Sequence, residues 1–215
     1  MGALDEKRCV IVCAGERDKK PFLRKPGDFV ICCDDGLTAA REIGLRPDLI
    51  VGDFDSLPPW EALPEGVETL RFPVMKDDTD SMIAVREGLS RGYREFVLLY
   101  ALGGRLDHTF ANIQTLAFLL DHGADGVLLG PDDWVGILRN GKRRIPRDDT
   151  YTLSVFAYGG TARGVGIEGA LYPLRDAALD CSFPIGLGNR ITADEAVVSV
   201  REGTLILMGS RLQGQ

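Results

Sequence analysis

No apolar run in this 215-residue chain approaches the roughly 18 residues that a membrane span requires, and neither a signal peptide nor an anchor is recognisable, so no membrane partner is expected. Positive charge is in deficit. The formal net charge is −7, with no run of like charge longer than a few residues, which argues against nucleic acid as a partner. An anionic substrate would need local help from a metal or an arginine. Histidine occurs only twice, and the five cysteines form neither a CxxC pair nor a Cys/His spacing suited to zinc. There is no GxxxxGK(S/T) and no GxGxxG, which disfavours a P-loop or a dinucleotide site. Internal repeats and low-complexity tracts are missing too.

Apolar material is ample: 45% of residues are hydrophobic, enough for one large domain or two small ones. Arg8 to Gly15 and Phe29 to Cys33 are continuous rather than alternating apolar runs, the pattern of strands covered on both faces in a parallel sheet. Further strand-like runs at 49–52, 68–72, 95–102 and 126–130 alternate with helical stretches at 37–43, 79–91 and 105–120. In the second of these helices Met82, Val85 and Leu89 share a face, and Asp78 or Thr79 is placed to cap its first turn. In the third, Leu106, Phe110, Ile113, Ala117 and Leu120 form the expected core stripe, while Arg105, His108 and Asn112 form a separate polar face. The alternation predicts an N-terminal doubly wound, mainly parallel (Rossmann-like) α/β domain with ligands at the carboxyl ends of its strands. Cys9, Cys13, Cys32 and Cys33 fall inside the strand runs and read as buried, reduced thiols, so a cytoplasmic location is expected.

From residue 139 the character changes. Arg139-Asn140-Gly141-Lys142-Arg143-Arg144 is a basic turn with an Asn-Gly hairpin signal, followed by short strands with glycine-rich turns at 150–158, 161–167, 190–200 and 204–208. We expect two domains, 1–138 α/β and 139–215 an antiparallel β-sandwich.

Three polar clusters each follow an apolar run. The strand ending Leu49-Ile50-Val51-Gly52 delivers Asp53 and Asp55, two carboxylates on one face of the pleat. Lys76-Asp77-Asp78-Thr79-Asp80 leads into a helix, and so does Gly103-Gly104-Arg105-Leu106-Asp107-His108. Asp53, Asp55 and Asp80 make an all-oxygen set suited to Mg²⁺, an ion usually shared with substrate phosphates. Lys76 and Arg105 bring positive charge to the same neighbourhood, and Gly103-Gly104 before a helix lets backbone N–H groups approach an anion. Asp107 and His108 also read as a helix-start cap and its surface partner. These features point to metal-assisted transfer of a phosphoryl-type group from a nucleotide, without naming the acceptor.

The ordered motifs resemble the thiamine pyrophosphokinase family: Asp34-Asp35-Gly36, then Pro47 to Ser56, then Lys76 to Asp80, then Gly103 to His108 with Asn112 beyond. Gly169 to Leu174 and Gly188-Asn189-Arg190-Ile191 are similar to that family's later motifs, so the resemblance spans nearly the whole chain. It implies transfer of diphosphate from ATP to the hydroxyl of thiamine, giving thiamine diphosphate and AMP. It further implies a homodimer, with thiamine bound between subunits and contacts from the β-sandwich domain. Carried over by motif, Asp53, Asp55 and Asp80 bind Mg²⁺. Asp34, Ser56, Lys76, Thr79, Arg105, Asp107, His108 and Asn112 lie around the nucleotide, and Asp80 or Asp107 takes the thiamine proton. Gly188-Asn189 faces the thiamine. One departure is visible: the family commonly has Ser-Asn where this chain has Gly188-Asn189, so one hydroxyl is missing. Two further readings stand beside this one, another Mg-dependent transferase or hydrolase of nucleotide diphosphates, and a non-catalytic module that senses nucleotide or thiamine.

Overall fold

Continuous apolar runs become strands buried on both faces. The structure, a computed structural model, describes residues 7–18, 20–53, 63–72 and 78–212. The chain divides into two units, Met1–Pro131 and Asp132–Gln215. The first runs β1 (Arg8–Val12), β2 (Phe29–Cys33), α1 (Gly36–Glu42), β3 (Leu49–Gly52), β4 (Glu68–Arg71), α2 (Asp80–Ser90), β5 (Glu95–Leu99), α3 (Leu106–Asp121) and β6 (Asp125–Leu129). Its strands pair in the order β4-β3-β2-β1-β5-β6, and every pairing is parallel. The chain builds outward from β1 through β4 and then returns to the other side of β1. The reversal therefore falls between β1 and β5, the position at which open α/β sheets bind their ligands.

Helices cover both faces of this sheet. Val10, Val12, Val30, Cys32 and Ile50 pack on one face with Leu37, Ala39 and Ala40 of α1. On the other, Gly88 brings α2 so close that a Cβ there would lie 2.7 Å from the Phe96 ring and 2.8 Å from Cys9 Sγ. Leu116 and Leu119 of α3 close over Gly126 on that same face. A strand covered on both sides has no solvent face on which to place polar residues, which is why its apolar pattern does not alternate.

The two amphipathic assignments need correction. In α2 the buried residues are Ala84, Val85 and Gly88, with Met82 and Leu89 only half-buried, because close approach to the sheet selects small side chains. In α3 the expected stripe begins with Leu106 and Phe110, yet these are 83% and 57% exposed. The buried residues are Asn112, Ile113, Thr115, Leu116 and Leu119. At about 100° per residue Asn112, Thr115, Leu116 and Leu119 of that inward face continue the line of Arg105 and His108. So the polar face and the core face are the same face at different depths, polar beyond the strand ends and apolar over the sheet.

One ion pair anchors the start of the sheet. Asp28 is buried and accepts from Arg8 Nε (2.8 Å) and Nη2 (2.5 Å), and from the Lys25 backbone N–H (2.8 Å). Burial raises the Asp28 carboxyl, but the Arg8 hydrogen bond and charge and the Lys25 N–H outweigh it, so the group sits below its ordinary range. A carboxyl depressed in the folded state stabilises above the unfolded pKa of about 3.9, and that stability is lost as pH falls through the lower native value. Asp28→Asn is expected to cost about 3 kcal/mol at neutral pH, since it leaves Arg8 partly buried without its counter-charge. Thermal melts of both proteins from pH 7 to pH 2 check this: the gap between them should close in the acid range.

The second unit contains β7 (Asp133–Arg139), β8 (Lys142–Pro146), β9 (Tyr151–Glu168), β10 (Leu174–Leu179), β11 (Glu195–Ser199) and β12 (Glu202–Arg211), all paired antiparallel in the order β7-β12-β9-β11-β8 with β10 on β9. The strands expected at 150–158 and 161–167 are one strand, β9, which passes through Gly159 at φ +72°. Its first half pairs with β12 and its second half with β10 and β11. Leu153 and Val155 from the first half share one core with Val165 and Ile167 from the second, and with Val198 and Leu205. The Asn140-Gly141 turn does not make a hairpin, since β7 pairs with β12 and β8 with β11. Instead it docks on the β11–β12 connection: Asn140 N–H donates to Gly203 O (3.2 Å), Gly203 N–H to Asn140 Oδ1 (2.9 Å), and Val200 N–H to Gly141 O (2.9 Å). Two tight connections thus lie side by side.

Candidate active site

A cleft of about 1090 Å³ opens outside the carboxyl ends of β1, β2, β3 and β5. The segments that follow β1 and β5 form one wall and are laced together by backbone: Cys13 N–H donates to Leu99 O (2.9 Å), Gly15 N–H to Tyr100 O (2.8 Å) and Glu16 N–H to Leu102 O (3.1 Å). Only glycine fits at 15, where a Cβ would lie 2.3 Å from Tyr100 O. Two non-glycine residues at the cleft hold positive φ, Asp34 at 45° after β2 and Tyr100 at 53° after β5. Strained backbone of this kind gathers where surrounding structure fixes a side chain for use. Here the Asp34 N–H is held by Val51 O (2.9 Å), and the Tyr100 hydroxyl by Asp18 O (3.1 Å).

Carboxylates dominate one side of the cleft. Asp34, Asp53, Asp78 and Asp80 all line it, and so do Thr79, Ser81 and Asn112. Thr79 caps α2, its hydroxyl accepting from Met82 N–H at 3.2 Å, and thereby sets the first turn in which Asp80 lies. From α3 come Arg105 and His108, preceded by Gly103 and Gly104, both with positive φ. The expected residues Asp34, Asp53, Thr79, Asp80, Arg105, His108 and Asn112 are therefore brought together. Asp107 lies in the same turn but is turned to Arg105, accepting from Nε (3.1 Å) and Nη2 (2.6 Å) in a forked pair. That hydrogen bond, with help from the His108 N–H, holds the Asp107 carboxyl at about 2. Asp55, Ser56 and Lys76 lie outside the described residues. Among the described residues no three metal-binding side chains stand close enough to hold an ion by themselves.

Cys13 and Cys33 also line the cleft, yet burial pushes the Cys13 thiol up to about 12 and Cys33 well above its ordinary value. At neutral pH they are thiols and act as apolar floor, not as nucleophiles. Sequence reasoning missed Glu16, Asp78, Ser81 and Tyr100 as lining residues. The signal for Glu16 was its position just past the end of β1, at the point of sheet reversal.

Gly188 and Asn189 lie in the second unit. Gly188 N–H donates to Ser154 Oγ at 3.0 Å. The buried Asn189 spends its amide on backbone: Oδ1 accepts from Tyr172 N–H (3.0 Å) and Arg190 N–H (2.9 Å), and Nδ2 donates to Tyr172 O (2.7 Å). It braces a turn that presents Leu171 and Tyr172 to solvent, near the exposed Phe183, Ile185 and Leu187 in sequence.

Fold and cleft together define an α/β protein with an acidic cleft at the reversal point of a parallel sheet. Residues 23–127 match the model of the family described as "Thiamin pyrophosphokinase, catalytic domain". The thiamine pyrophosphokinase of Bacillus subtilis (strain 168) is 23% identical over 207 residues, covering 93% of this chain and 97% of the relative. Among solved structures, thiamine pyrophosphokinase from Bacillus subtilis superposes with a TM-score of 0.87 at 21% identity, covering 96% of this chain and all of that one. The enzyme from Geobacillus thermodenitrificans gives 0.80 at 23% identity, covering 96% and 98%. Yeast thiamin pyrophosphokinase gives 0.74 at 14% identity, covering 97% and 87%. Residues 23–127 are thus similar to that catalytic domain, and the chain has the fold of these enzymes.

Proposed function

We propose that this protein transfers an intact diphosphate from ATP to the hydroxyl of thiamine, releasing thiamine diphosphate and AMP. The observation that carries the reading is the cleft at the β1/β5 reversal in a chain whose residues 23–127 match the thiamin pyrophosphokinase catalytic-domain model, with acidic side chains on one side and the starts of α2 and α3 opening into it. Helix starts offer free N–H groups and a positive dipole end to phosphate oxygens. Mg²⁺ belongs to the proposal, and the donor chemistry fits it. The acidic side chains offer hard oxygen, and Mg²⁺ takes one or two carboxylates and shares its remaining positions with water and phosphate. Asp53 and Asp80 would hold it, with Asp55 as the expected third ligand. When bound, the ion offsets negative charge on the transferred group and on the leaving AMP.

The remaining work falls to the chain. Arg105 and Lys76 draw phosphate oxygens, with Asp34, Ser56, Thr79, His108 and Asn112 around them. Of the two aspartates considered for the thiamine proton, Asp107 is a poor base, because its pairing with Arg105 holds it at about 2. Asp80, which lines the cleft, is the better candidate. The second unit, read as a β-sandwich, would bind thiamine through the Gly188-Asn189 stretch and join two chains as a homodimer. Its exposed Leu171, Tyr172, Phe183, Ile185 and Leu187 support that reading, which a single-chain mass in sedimentation equilibrium would overturn. A cytoplasmic location is supported by the unbridged cysteines.

The test is incubation with Mg²⁺, ATP and thiamine, with chromatographic separation of products. AMP and thiamine diphosphate in equal amounts are expected. ADP or free phosphate would favour another transferase or hydrolase, and intact ATP would favour the sensing module.

A further inference from the structure

A buried amide joins three elements of the cleft. Asn112 sits on the inward face of α3, only 8% exposed. Its Nδ2 donates to the Ala101 carbonyl past the end of β5 (2.8 Å), and its Oδ1 accepts from Ser81 Oγ at the start of α2 (3.0 Å). Proton counting gives the chain one direction. The Ala101 carbonyl can only accept, so the NH₂ group must face it and Oδ1 must face Ser81. The single Ser81 hydroxyl proton is then committed to Asn112. In the 3.1 Å contact between Thr79 Oγ1 and Ser81 Oγ, Thr79 must therefore be the donor, while its oxygen accepts from Met82 N–H. Each link of the relay Met82 N–H, Thr79, Ser81, Asn112, Ala101 therefore has a fixed donor and a fixed acceptor.

We propose that Ser81 and Asn112 are positioning residues for the nucleotide site, locking the first turn of α2, with Asp80 in it, onto the end of β5. The inference rests on the proposed use of this cleft and assigns Asn112 a structural contact in place of direct contact with nucleotide. A second tie between the helices, Arg86 over the Phe118 ring at 5.6 Å from its centre, lies further along α2 and does not involve Ser81.

The experiment reads hydrogen exchange at the Met82 and Ile83 amides without substrates, together with KM for Mg·ATP and for thiamine, in Ser81→Ala, Ser81→Thr and Asn112→Asp. Ser81→Ala should speed exchange by about fivefold, the worth of one neutral hydrogen bond, and raise KM for Mg·ATP by a similar factor while KM for thiamine moves little. Asn112→Asp should do more, about tenfold, because it aims a carboxylate at the Ala101 carbonyl. Ser81→Thr keeps the hydroxyl and should keep wild-type exchange. Exchange unchanged in Ser81→Ala, or equally fast in Ser81→Thr, would overturn the lock. Faster exchange with an unaltered KM for Mg·ATP would overturn its link to the site. Should the protein prove to have no diphosphotransferase activity, the exchange comparison still decides the lock.

Discussion

Asp80→Asn and Asp53→Asn should each lower turnover by on the order of 10³-fold while the fold survives. Both side chains line the cleft, and asparagine keeps their shape while removing the charge that a cation would need. Asp80 lies in the first turn of α2, where a carboxylate is worth about 0.3–1 kcal/mol against the helix dipole. In a chain of this size the loss of that contribution shifts the melting temperature by about 2–4 °C. Steady-state kinetics beside thermal melts give the answer, and activity falling only as far as the folded fraction falls would make both aspartates structural.

The second large effect concerns the wall of the cleft. Gly15→Ala should destabilise the protein by about 3 kcal/mol, read as a lower urea midpoint with an unchanged slope. The new Cβ would lie 2.3 Å from Tyr100 O and 2.8 Å from Leu102 O, both backbone atoms that no rotamer change can move aside. Relief requires the segments after β1 and β5 to part, which breaks the Gly15 N–H bond to Tyr100 O. Activity should therefore fall further than the loss of folded protein accounts for. A variant with wild-type urea midpoint would show that these segments give way easily.

Burial pattern made the strands of the first unit legible, because residues covered on both faces must all be apolar. Helical periodicity was less informative. It separated two faces of α3 but misplaced the inward one, Ile113 being the one residue of the expected stripe that is buried, since period says which residues share a face and nothing about what covers it. Leu106 and Phe110 are exposed, while the polar Arg105 and His108 line the cleft on the side that is later apolar. In the second unit, Gly159-Gly160 reads as a break in sequence and is a bend within β9 in the structure. The Asn140-Gly141 signal marks a real turn, but pairing is decided by distant partners, and β7 and β8 go to β12 and β11. β10 and the basic β8 (KRRIP) lack the apolar alternation by which strands are recognised. At the site, residue types at strand ends pointed to Asp53, Asp80 and Arg105, and the family resemblance added Asp34, Thr79, His108 and Asn112; the structure gathers all seven in one cleft. What spacing could not supply was the orientation of each side chain: Asp107 turned to Arg105, and Asn189 spent on the Tyr172 backbone.

The single inward face of α3 ties the history of the core to that of the cleft. Inserting or deleting one residue after Arg105 would rotate everything upstream by about 100° relative to Leu116 and Leu119. The same step that preserved packing over Gly126 would swing Arg105 out of the cleft, and a step that preserved Arg105 would pull the apolar face off the sheet. Drift in this helix is thus confined to exchanges of side chain at constant length, so the distance from Arg105 to Leu116 should act as a ruler shared by descendants of this fold that keep both the cleft and the sheet.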